Sequence, residues 1–274
     1  MPPSIPNLTK TIHTTVPPNI DPINLSAADK TVLITGGGRG IGKAIATCFA
    51  LAGAQAIILL GRTAATLQAA AKEISDAGKS AGHEVEIHSF TVEIVDEEAV
   101  AAVFKSLREQ SISIDVLVNN AGALHLGRMS ASASSHSSYT AAFDTNVKGT
   151  LHVIQSFLRF GLDPNTNTPA TFINISTLGI AMPTFPTWSQ YVASKVAAFS
   201  LTTFMGVESR GKVRAFSIHP GRIETDMSKE AGIPTCDQAG MYNACRSLIV
   251  SVKVEADAMY RTARCVLRVA CCYA

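Results

Sequence analysis

The chain has 274 residues, a length that fits one large α/β domain as well as two small ones, and a single domain is the simpler expectation. Hydrophobic residues make up 47% of the sequence and charged residues 16%, so the chain can bury a large core and wholesale disorder is excluded. The net charge of +2 is spread without a basic block, which argues against partners such as nucleic acids and membrane surfaces.

The two ends of the chain differ from its centre. Residues 1–29 form a polar, proline-rich extension that we expect on the surface, and it contains no apolar segment typical of a secretory signal. Residues 30–274 are expected to form a single domain. The six cysteines include no CxxC pair, which favours a reduced protein in the cytoplasm. No cluster of His, Cys and carboxylate residues has zinc-site spacing, so no metal is expected.

From Lys30 to His219, short β-branched runs alternate with longer helical ones, a pattern typical of βαβ units. It predicts an α/β fold with a doubly wound parallel sheet, a Rossmann fold of three αβα layers. The apolar stretch from Ala44 to Leu60 is interrupted by polar residues and is interpreted as helix and strand, not as a membrane span. The predicted strands are Thr31–Thr35, Ala56–Leu60, Val85–Ser89, Val116–Asn119, Thr171–Ser176 and Val213–His219. The predicted helices are Gly42–Leu51, Ala64–Ala77, Asp96–Gln110, Tyr139–Phe160 and Gln190–Ser209.

The first predicted strand runs into a glycine-rich turn, Thr35-Gly36-Gly37-Gly38-Arg39-Gly40-Ile41-Gly42, and then into a helical run. Glycines at such a turn let the backbone approach a pyrophosphate, and free N–H groups at the helix start attract its charge. The spacing of Gly36, Gly40 and Gly42 differs from the usual G-x-G-x-x-G fingerprint, and a glycine-rich turn is often only a turn. Its position at the head of a βαβ unit favours dinucleotide binding.

The end of the second strand bears on the choice of dinucleotide. An NAD site usually has an Asp or Glu there to hold the ribose 2′-hydroxyl, whereas this sequence has Gly61-Arg62. Arg62 and Arg39 are both suited to a 2′-phosphate, so the sequence favours NADP(H), with NAD as the alternative. In the other interpretation, Arg62 only opens the next helix and is solvated.

Tyr191 and Lys195 lie four residues apart, hence on one face of a predicted helix. A phenol has a pKa near 10, so a tyrosine that shuttles protons near neutrality needs its phenolate stabilised by roughly 4 kcal/mol. A lysine ammonium one turn away is an obvious source of that stabilisation. The YxxxK pattern alone is common by chance, and a surface tyrosine beside a solvated lysine is the alternative.

Six motifs in a fixed order resemble those of the short-chain dehydrogenase/reductase family. The resemblance covers roughly Lys30 to Met227, and the ordered set is far more specific than any single motif. In chain order the motifs are Thr35 to Gly42, Asn119-Asn120-Ala121-Gly122, Asn146, Ser176, Tyr191 with Lys195, and Pro220-Gly221.

The resemblance implies an oxidoreductase that interconverts a carbonyl and an alcohol on a small organic substrate. By it, Tyr191 would exchange a proton with the substrate oxygen and Ser176 would hydrogen-bond that oxygen. Lys195 would lower the pKa of Tyr191 and hold the nicotinamide ribose, and Asn146 would support a water relay. The predicted cofactor-binding residues are Gly36, Arg39, Gly40, Ile41, Gly42, Arg62, Asn120, Tyr191, Lys195, Ile223 and Thr225.

Three features depart from the family pattern. Ser176 precedes Tyr191 by fifteen positions, two more than is usual, and Thr177 is a rival for its role, although the family's Ser-x-x-Gly spacing fits Ser176. Thr91 stands where the family often has an Asp that binds the adenine amine. Residues 228–274 offer no clear seventh strand: either Val266–Cys271 replaces it, or this end derives from an altered reading frame.

Two further expectations concern the whole protein. A non-catalytic dinucleotide-binding protein, disabled by its C-terminal end, is the alternative function, whereas the complete set of Asn146, Ser176, Tyr191 and Lys195 disfavours a purely structural domain. Helices at residues 139–160 and 190–209 resemble the family's subunit contacts, so we expect a homodimer or homotetramer.

Overall fold

A computed structural model of the chain describes Pro18 and residues 21–129, 136–181, 186–221 and 223–232. Six strands in this part of the chain form one parallel sheet, in the order β3-β2-β1-β4-β5-β6. The strands are β1 (Thr31–Thr35), β2 (Ala56–Gly61), β3 (Glu86–Thr91), β4 (Val116–Asn119), β5 (Ala170–Ile175) and β6 (Val213–Ile218). This order confirms the predicted doubly wound sheet, since the chain moves outward from β1 in both directions.

Helices connect the strands as the alternating sequence pattern predicts. They are α1 (Gly40–Leu51), α2 (Ala64–Ser80), α3 (Glu97–Glu109), α4 (His136–Phe143), α5 (Thr150–Ser156), α6 (Ser189–Glu208) and α7 (Asp226–Glu230). Two π-helical segments, Asp144–Gly149 and Phe157–Gly161, follow α4 and α5, so residues 136–161 form one helical stretch. Short 3₁₀ turns occupy Pro22–Asn24 and Leu178–Ile180.

The sheet is buried on both faces, which explains why its central strands are almost continuously apolar. Successive residues of a strand point to opposite faces. Accordingly, Ile34 of β1 joins a core cluster with Ile45 of α1, whereas its neighbour Leu33 joins a second cluster with Phe104 of α3. All four side chains are fully buried. Within the described residues, no helix is both long and apolar enough to cross a bilayer.

Several element boundaries differ from the sequence prediction by a few residues. β3 ends at Thr91, later than predicted, and its outward residues are exposed because it is an edge of the described sheet. The end of the N-terminal extension packs onto the domain: Ala27 is buried and its N–H donates to the Ala52 carbonyl at 2.7 Å. The segment Val266–Cys271, the candidate seventh strand, lies outside the described residues, as do all the cysteines except Cys48.

Candidate active site

A cavity of about 350 Å³ opens at the carboxyl ends of the strands, beside the boundary between β1 and β4. The order of the sheet reverses at this boundary, and the loops after β1 and β4 leave toward opposite faces of the sheet. Such a divergence creates a crevice, which is where open α/β sheets bind ligands. The glycine-rich turn, the ends of β2, β4 and β5, and helices α6 and α7 all contribute to its walls.

A cluster of hydrogen bonds fixes the glycine-rich turn to the end of β4. The Thr35 Oγ1 atom accepts bonds from the N–H groups of Asn120 and Ala121, at 3.0 and 2.9 Å. In return, the Asn120 side-chain amide donates to the carbonyls of Thr35 and Gly36, at 3.0 and 3.2 Å. Asn120 therefore lies on the cavity wall with its amide committed to the turn.

Two glycines of the turn have no room for a side chain. Gly36 has a positive φ of 68°, and an added Cβ would lie 2.9 Å from the Asn120 amide nitrogen. A Cβ on Gly42 would collide with the Gly36 carbonyl, because the first turn of α1 folds directly over the end of β1. The result is a cradle of bare backbone at the start of a helix, the arrangement that suits a pyrophosphate.

The two predicted phosphate-binding arginines both line the cavity, and each is paired with a carboxylate that also lines it. The Arg39 Nη1 atom lies 3.4 Å from Asp226, at the start of α7, and the Arg62 Nη1 atom lies 3.7 Å from Glu93. All four side chains are more than half exposed, so these pairs contribute little to folding stability.

Helix α6 carries Tyr191 and Lys195 into the cavity one turn apart. The Lys195 Nζ atom donates to the Ile175 carbonyl at the end of β5, at 2.8 Å, and lies 5.9 Å from the centre of the Tyr191 ring. Burial raises the pKa of Tyr191 to about 12 and lowers the pKa of Lys195 to about 8. Both shifts have the same cause, since burial disfavours the charged form of each group.

Two hydroxyl residues follow β5. The Ser176 Oγ atom is buried and has no hydrogen-bond partner among the described residues. The nearby Thr177 side chain opposes part of the rise in the pKa of Tyr191. The Thr177 oxygen accepts the Gly179 N–H at 3.2 Å and so caps the short turn that follows.

Asn146 lies in the π-helical segment between α4 and α5 and is almost fully buried. Its side chain accepts from the Ala123 N–H at 2.8 Å and donates to the Ala123 carbonyl and to Ser194 Oγ, both at 2.9 Å. Asn146 therefore joins the segment after β4 to helix α6, directly behind the cavity. A Cβ on Gly122 would lie 3.1 Å from Asn146 Oδ1 and 3.4 Å from Lys195 Nζ, which shows how closely these groups converge.

The cavity gathers most of the residues that the sequence predicts for the site. Asn146, Gly42 and Ile223 lie behind its wall and do not line it. The predicted residues that line it are Gly36, Arg39, Gly40, Ile41, Arg62, Asn120, Ser176, Tyr191, Lys195 and Thr225.

Several wall residues were not predicted from the sequence, among them the acidic residues Glu93 and Asp226. Thr91, the expected adenine contact, does not line the cavity, whereas Glu93 does. The chain continues past β3 along the same edge, where the Val92 N–H still donates to the Gly61 carbonyl at 2.8 Å. No sequence motif marked Glu93, whose position on the wall follows from this continuation of the chain. No group of metal-ligating side chains occurs in the described part of the chain.

The burial of Lys195 predicts a specific pH dependence of stability. Its pKa is about 8 when folded but 10.5 in the ordinary state, so between these values the unfolded chain binds more protons. The free energy of unfolding should therefore rise with pH in this window, by about 2 kcal/mol between pH 8 and 10. Urea titrations of the wild type should show the rise, and Lys195→Met should abolish it. Lys72→Met, which removes an exposed ammonium, should keep it; an equal rise in Lys195→Met would refute the assignment.

Comparison with known proteins identifies the family. Residues 30–234 match the family model described as short chain dehydrogenase. The short chain dehydrogenase citE of Monascus ruber is 32% identical over 218 residues, which cover 79% of this chain and 72% of that protein.

Two solved structures show the same fold with a dinucleotide present. A protein of Burkholderia cenocepacia named as a dehydrogenase, with bound NADP, is 25% identical with a TM-score of 0.63, covering 74% of this chain and 72% of that one. An NAD⁺-bound xylitol dehydrogenase is 27% identical with a TM-score of 0.58, covering 70% of each chain. The chain therefore belongs to the short-chain dehydrogenase/reductase family and is an NAD(P)-dependent oxidoreductase.

Proposed function

We propose that the protein is an NADP(H)-dependent reductase or dehydrogenase that interconverts a carbonyl and an alcohol on a small, apolar organic substrate. The observation that carries this proposal is the convergence of Tyr191, Lys195 and the glycine cradle on one cavity. The residues fit a nicotinamide dinucleotide: the glycine-rich turn lines the cavity with Gly36, Gly38 and Gly40 at the start of α1, where a pyrophosphate would bind, and two arginines line the same cavity. The cofactor supplies the hydride, and the protein supplies position and charge.

Tyr191 exchanges the proton in this proposal. During carbonyl reduction, the Tyr191 O–H bond breaks and its proton passes to the substrate oxygen as the carbon receives the hydride; oxidation reverses both transfers. The Tyr191 phenolate that remains needs a nearby positive charge, because burial opposes its formation. Lys195 is protonated at neutral pH, since its pKa is about 8, and its Nζ atom lies 5.9 Å from the Tyr191 ring. Asn146 hydrogen-bonds both Ser194 and Ala123, and so fixes the position of helix α6 relative to the loop after β4.

Replacement of Tyr191 tests the catalytic proposal. Tyr191→Phe keeps the ring and removes only the proton donor, so kcat for carbonyl reduction should fall by about 10²–10⁴-fold. NADPH binding, followed by nicotinamide fluorescence, should stay within about twofold of the wild type, which controls for folding. A carbonyl screen in which Tyr191→Phe turns over as fast as the wild type would refute the role.

The preference for NADP(H) rests on the charges at the adenosine end of the cavity. Arg62 follows β2, where NAD-specific sites usually place an acid, and Arg39 lies in the glycine-rich turn. A guanidinium binds a phosphate through two parallel hydrogen bonds, so this pair suits a 2′-phosphate. The Burkholderia neighbour with bound NADP supports this choice, whereas the NAD⁺-bound xylitol dehydrogenase shows that the fold accepts either cofactor.

Removal of Arg62 should change the ratio of the two cofactor affinities. Arg62→Ala should weaken NADPH binding by about 10-fold and leave NADH binding nearly unchanged, because only NADPH carries the 2′-phosphate. Dissociation constants from fluorescence titrations at one fixed salt concentration give the ratio. Arg159→Ala serves as the matched control, since Arg159 is exposed and does not line the cavity. An unchanged ratio in Arg62→Ala would rule out the 2′-phosphate contact.

We also propose that the protein is a cytoplasmic homodimer or homotetramer, with α6 in the subunit interface. Val196, Phe204 and Val207 are 44%, 60% and 60% exposed, and their spacing places them on one side of α6. Large apolar side chains exposed along one helix face are typical of an interaction surface.

Phe204→Glu should dissociate the oligomer. A carboxylate in the centre of an apolar interface loses its hydration without a partner, so the dimer should weaken by about 10²-fold or more. Light scattering at micromolar concentration gives the mass. Ile23→Glu, which alters a side chain exposed to 63% at the N-terminal end, should leave the mass unchanged. A wild type that is already monomeric would contradict the proposal.

A further inference from the structure

We infer that His152 is a positioning residue for the adenosine half of the cofactor, because it fixes the segment of the cavity wall beside which that half lies. The inference rests on the proposed function and deepens it, since it adds a residue on which cofactor binding depends. Three observations carry it: the place of residues 92–95 on the cavity wall, the hydrogen bond between His152 and Ile94, and the close packing of Ile94 on Gly149.

Residues 92–95 follow β3, and all four of them line the cavity. In the sheet order β3-β2-β1-β4-β5-β6, the glycine-rich turn follows β1, and the carbonyl that Lys195 contacts lies at the end of β5. A dinucleotide with its pyrophosphate on the turn and its nicotinamide beside Tyr191 therefore extends its adenosine toward β2 and β3. We call residues 92–95 the adenosine wall.

Backbone hydrogen bonds attach the adenosine wall at two points. The Val92 N–H donates to the Gly61 carbonyl of β2 at 2.8 Å. The N–H of Asp96, the N-cap residue of α3, donates to the Glu93 carbonyl at 3.0 Å. Ile94 lies between these two bonds, and its side chain is buried. The path of the wall at Ile94 thus depends on what its side chain and its carbonyl contact.

His152 of α5 contacts the Ile94 carbonyl. The His152 side chain is 5% exposed, and its Nδ1 atom lies 3.2 Å from the Ile94 oxygen. A carbonyl oxygen only accepts hydrogen bonds, so Nδ1 carries the proton and the bond fixes the tautomer of the ring. The other ring nitrogen, Nε2, lies 3.9 Å from the carboxylate of Glu97 in the first turn of α3, beyond hydrogen-bond distance. His152 therefore acts on the adenosine wall through Nδ1.

Gly149, one turn before His152, supports the Ile94 side chain. A Cβ added to Gly149 would lie 2.7 Å from both Cγ1 and Cδ1 of Ile94, and 3.3 Å from the Ile94 carbonyl oxygen. Ile94 therefore packs directly on bare backbone at the end of the π-helical segment that carries Asn146. Residues three apart lie on one face of a helix, so Gly149 and His152 contact Ile94 from the same side.

The His152 bond matters for binding because it holds the adenosine wall in place before the cofactor arrives. Without this bond, the Ile94 carbonyl loses a buried partner, and it can regain one only by moving toward water. A wall that must be ordered during binding lowers the affinity for the adenosine half. Tyr191 and Lys195 lie on α6, which His152 does not contact through this bond. We therefore expect a loss of cofactor affinity with kcat preserved.

Matched substitutions of His152 separate the hydrogen bond from packing. His152→Asn places an amide nitrogen close to the position of Nδ1, whereas His152→Gln places it near the position of Nε2 and His152→Leu has no donor. The probe is adenosine 2′,5′-bisphosphate, a fragment of NADPH without the nicotinamide half. Its dissociation constant, from calorimetry, should rise by about 10-fold in His152→Gln and His152→Leu and by less than about twofold in His152→Asn.

Full-length cofactor gives the matching kinetic result. The dissociation constant of NADPH should follow the same order as that of the bisphosphate, while kcat at saturating NADPH stays within about twofold of the wild type in all three variants. Glu97→Gln, which changes the neighbour of Nε2 and does not line the cavity, should alter neither constant. The inference is overturned when His152→Gln binds the bisphosphate as tightly as the wild type. Equal weakening in His152→Asn would indicate packing alone and would also overturn it.

A second readout needs no ligand. Hydrogen exchange measured by mass spectrometry reports local opening of the backbone. Peptides that contain the adenosine wall should exchange about 10-fold faster in His152→Gln than in the wild type, and peptides from β2 should exchange at the same rate in both. Unchanged exchange of the wall would refute the role of His152. If the wild type bound the bisphosphate but reduced no carbonyl, the proposed function would fail, and the two titrations would still decide the role of His152.

Discussion

The hydrogen bonds between Thr35 and the Asn120–Ala121 segment determine where the site can form. β1 and β4 are neighbours in the sheet, their pairing ends at Ile34 and Val118, and beyond it the chain leaves the two strands toward opposite faces of the sheet. One threonine hydroxyl and one asparagine amide provide a link between these two strand ends through four hydrogen bonds of 2.9–3.2 Å. The glycine cradle on one side and Lys195 on the other both depend on it, because Gly122, two residues after Asn120, packs near Lys195 Nζ.

The burial that brings Tyr191 and Lys195 together also destabilises their charged forms. Burial favours the neutral form of both Tyr191 and Lys195. Because both pKa values, about 12 and about 8, lie above 7, the phenol and the lysine are both mainly protonated at pH 7. This is the state that a carbonyl reduction requires at its start. The phenolate is formed only as the proton leaves, when the Lys195 ammonium is already in place. Electrostatic preorganisation of this kind needs little rearrangement during the reaction.

The sequence was sufficient for the sheet, the glycine cradle and the Tyr191–Lys195 pair, because each depends on local periodicity or on spacing within one element. It was insufficient where a contact depends on the exact path of the chain. The π-helical turn around Asn146 follows from tertiary packing, and no local propensity distinguishes it from α-helix. Ser176 and Thr177 are adjacent hydroxyl residues, and the sequence alone does not show which side chain is buried. In the structure β5 ends at Ile175, and the next residue, Ser176, is the buried one. Likewise, Glu93 reaches the cavity because the chain after β3 continues along the edge of β2.

The carboxylates beside Arg39 and Arg62 bear on how strongly the protein can discriminate between cofactors. Each guanidinium already has an anionic neighbour on the cavity wall, Asp226 or Glu93, and both pairs are exposed to water. An exposed ion pair contributes at most about 1 kcal/mol, so a doubly charged phosphate can displace either carboxylate. The displaced carboxylates nevertheless remain nearby and repel the phosphate. The discrimination in favour of NADPH should therefore be smaller than two unpaired arginines would provide, and it should fall further as ionic strength rises.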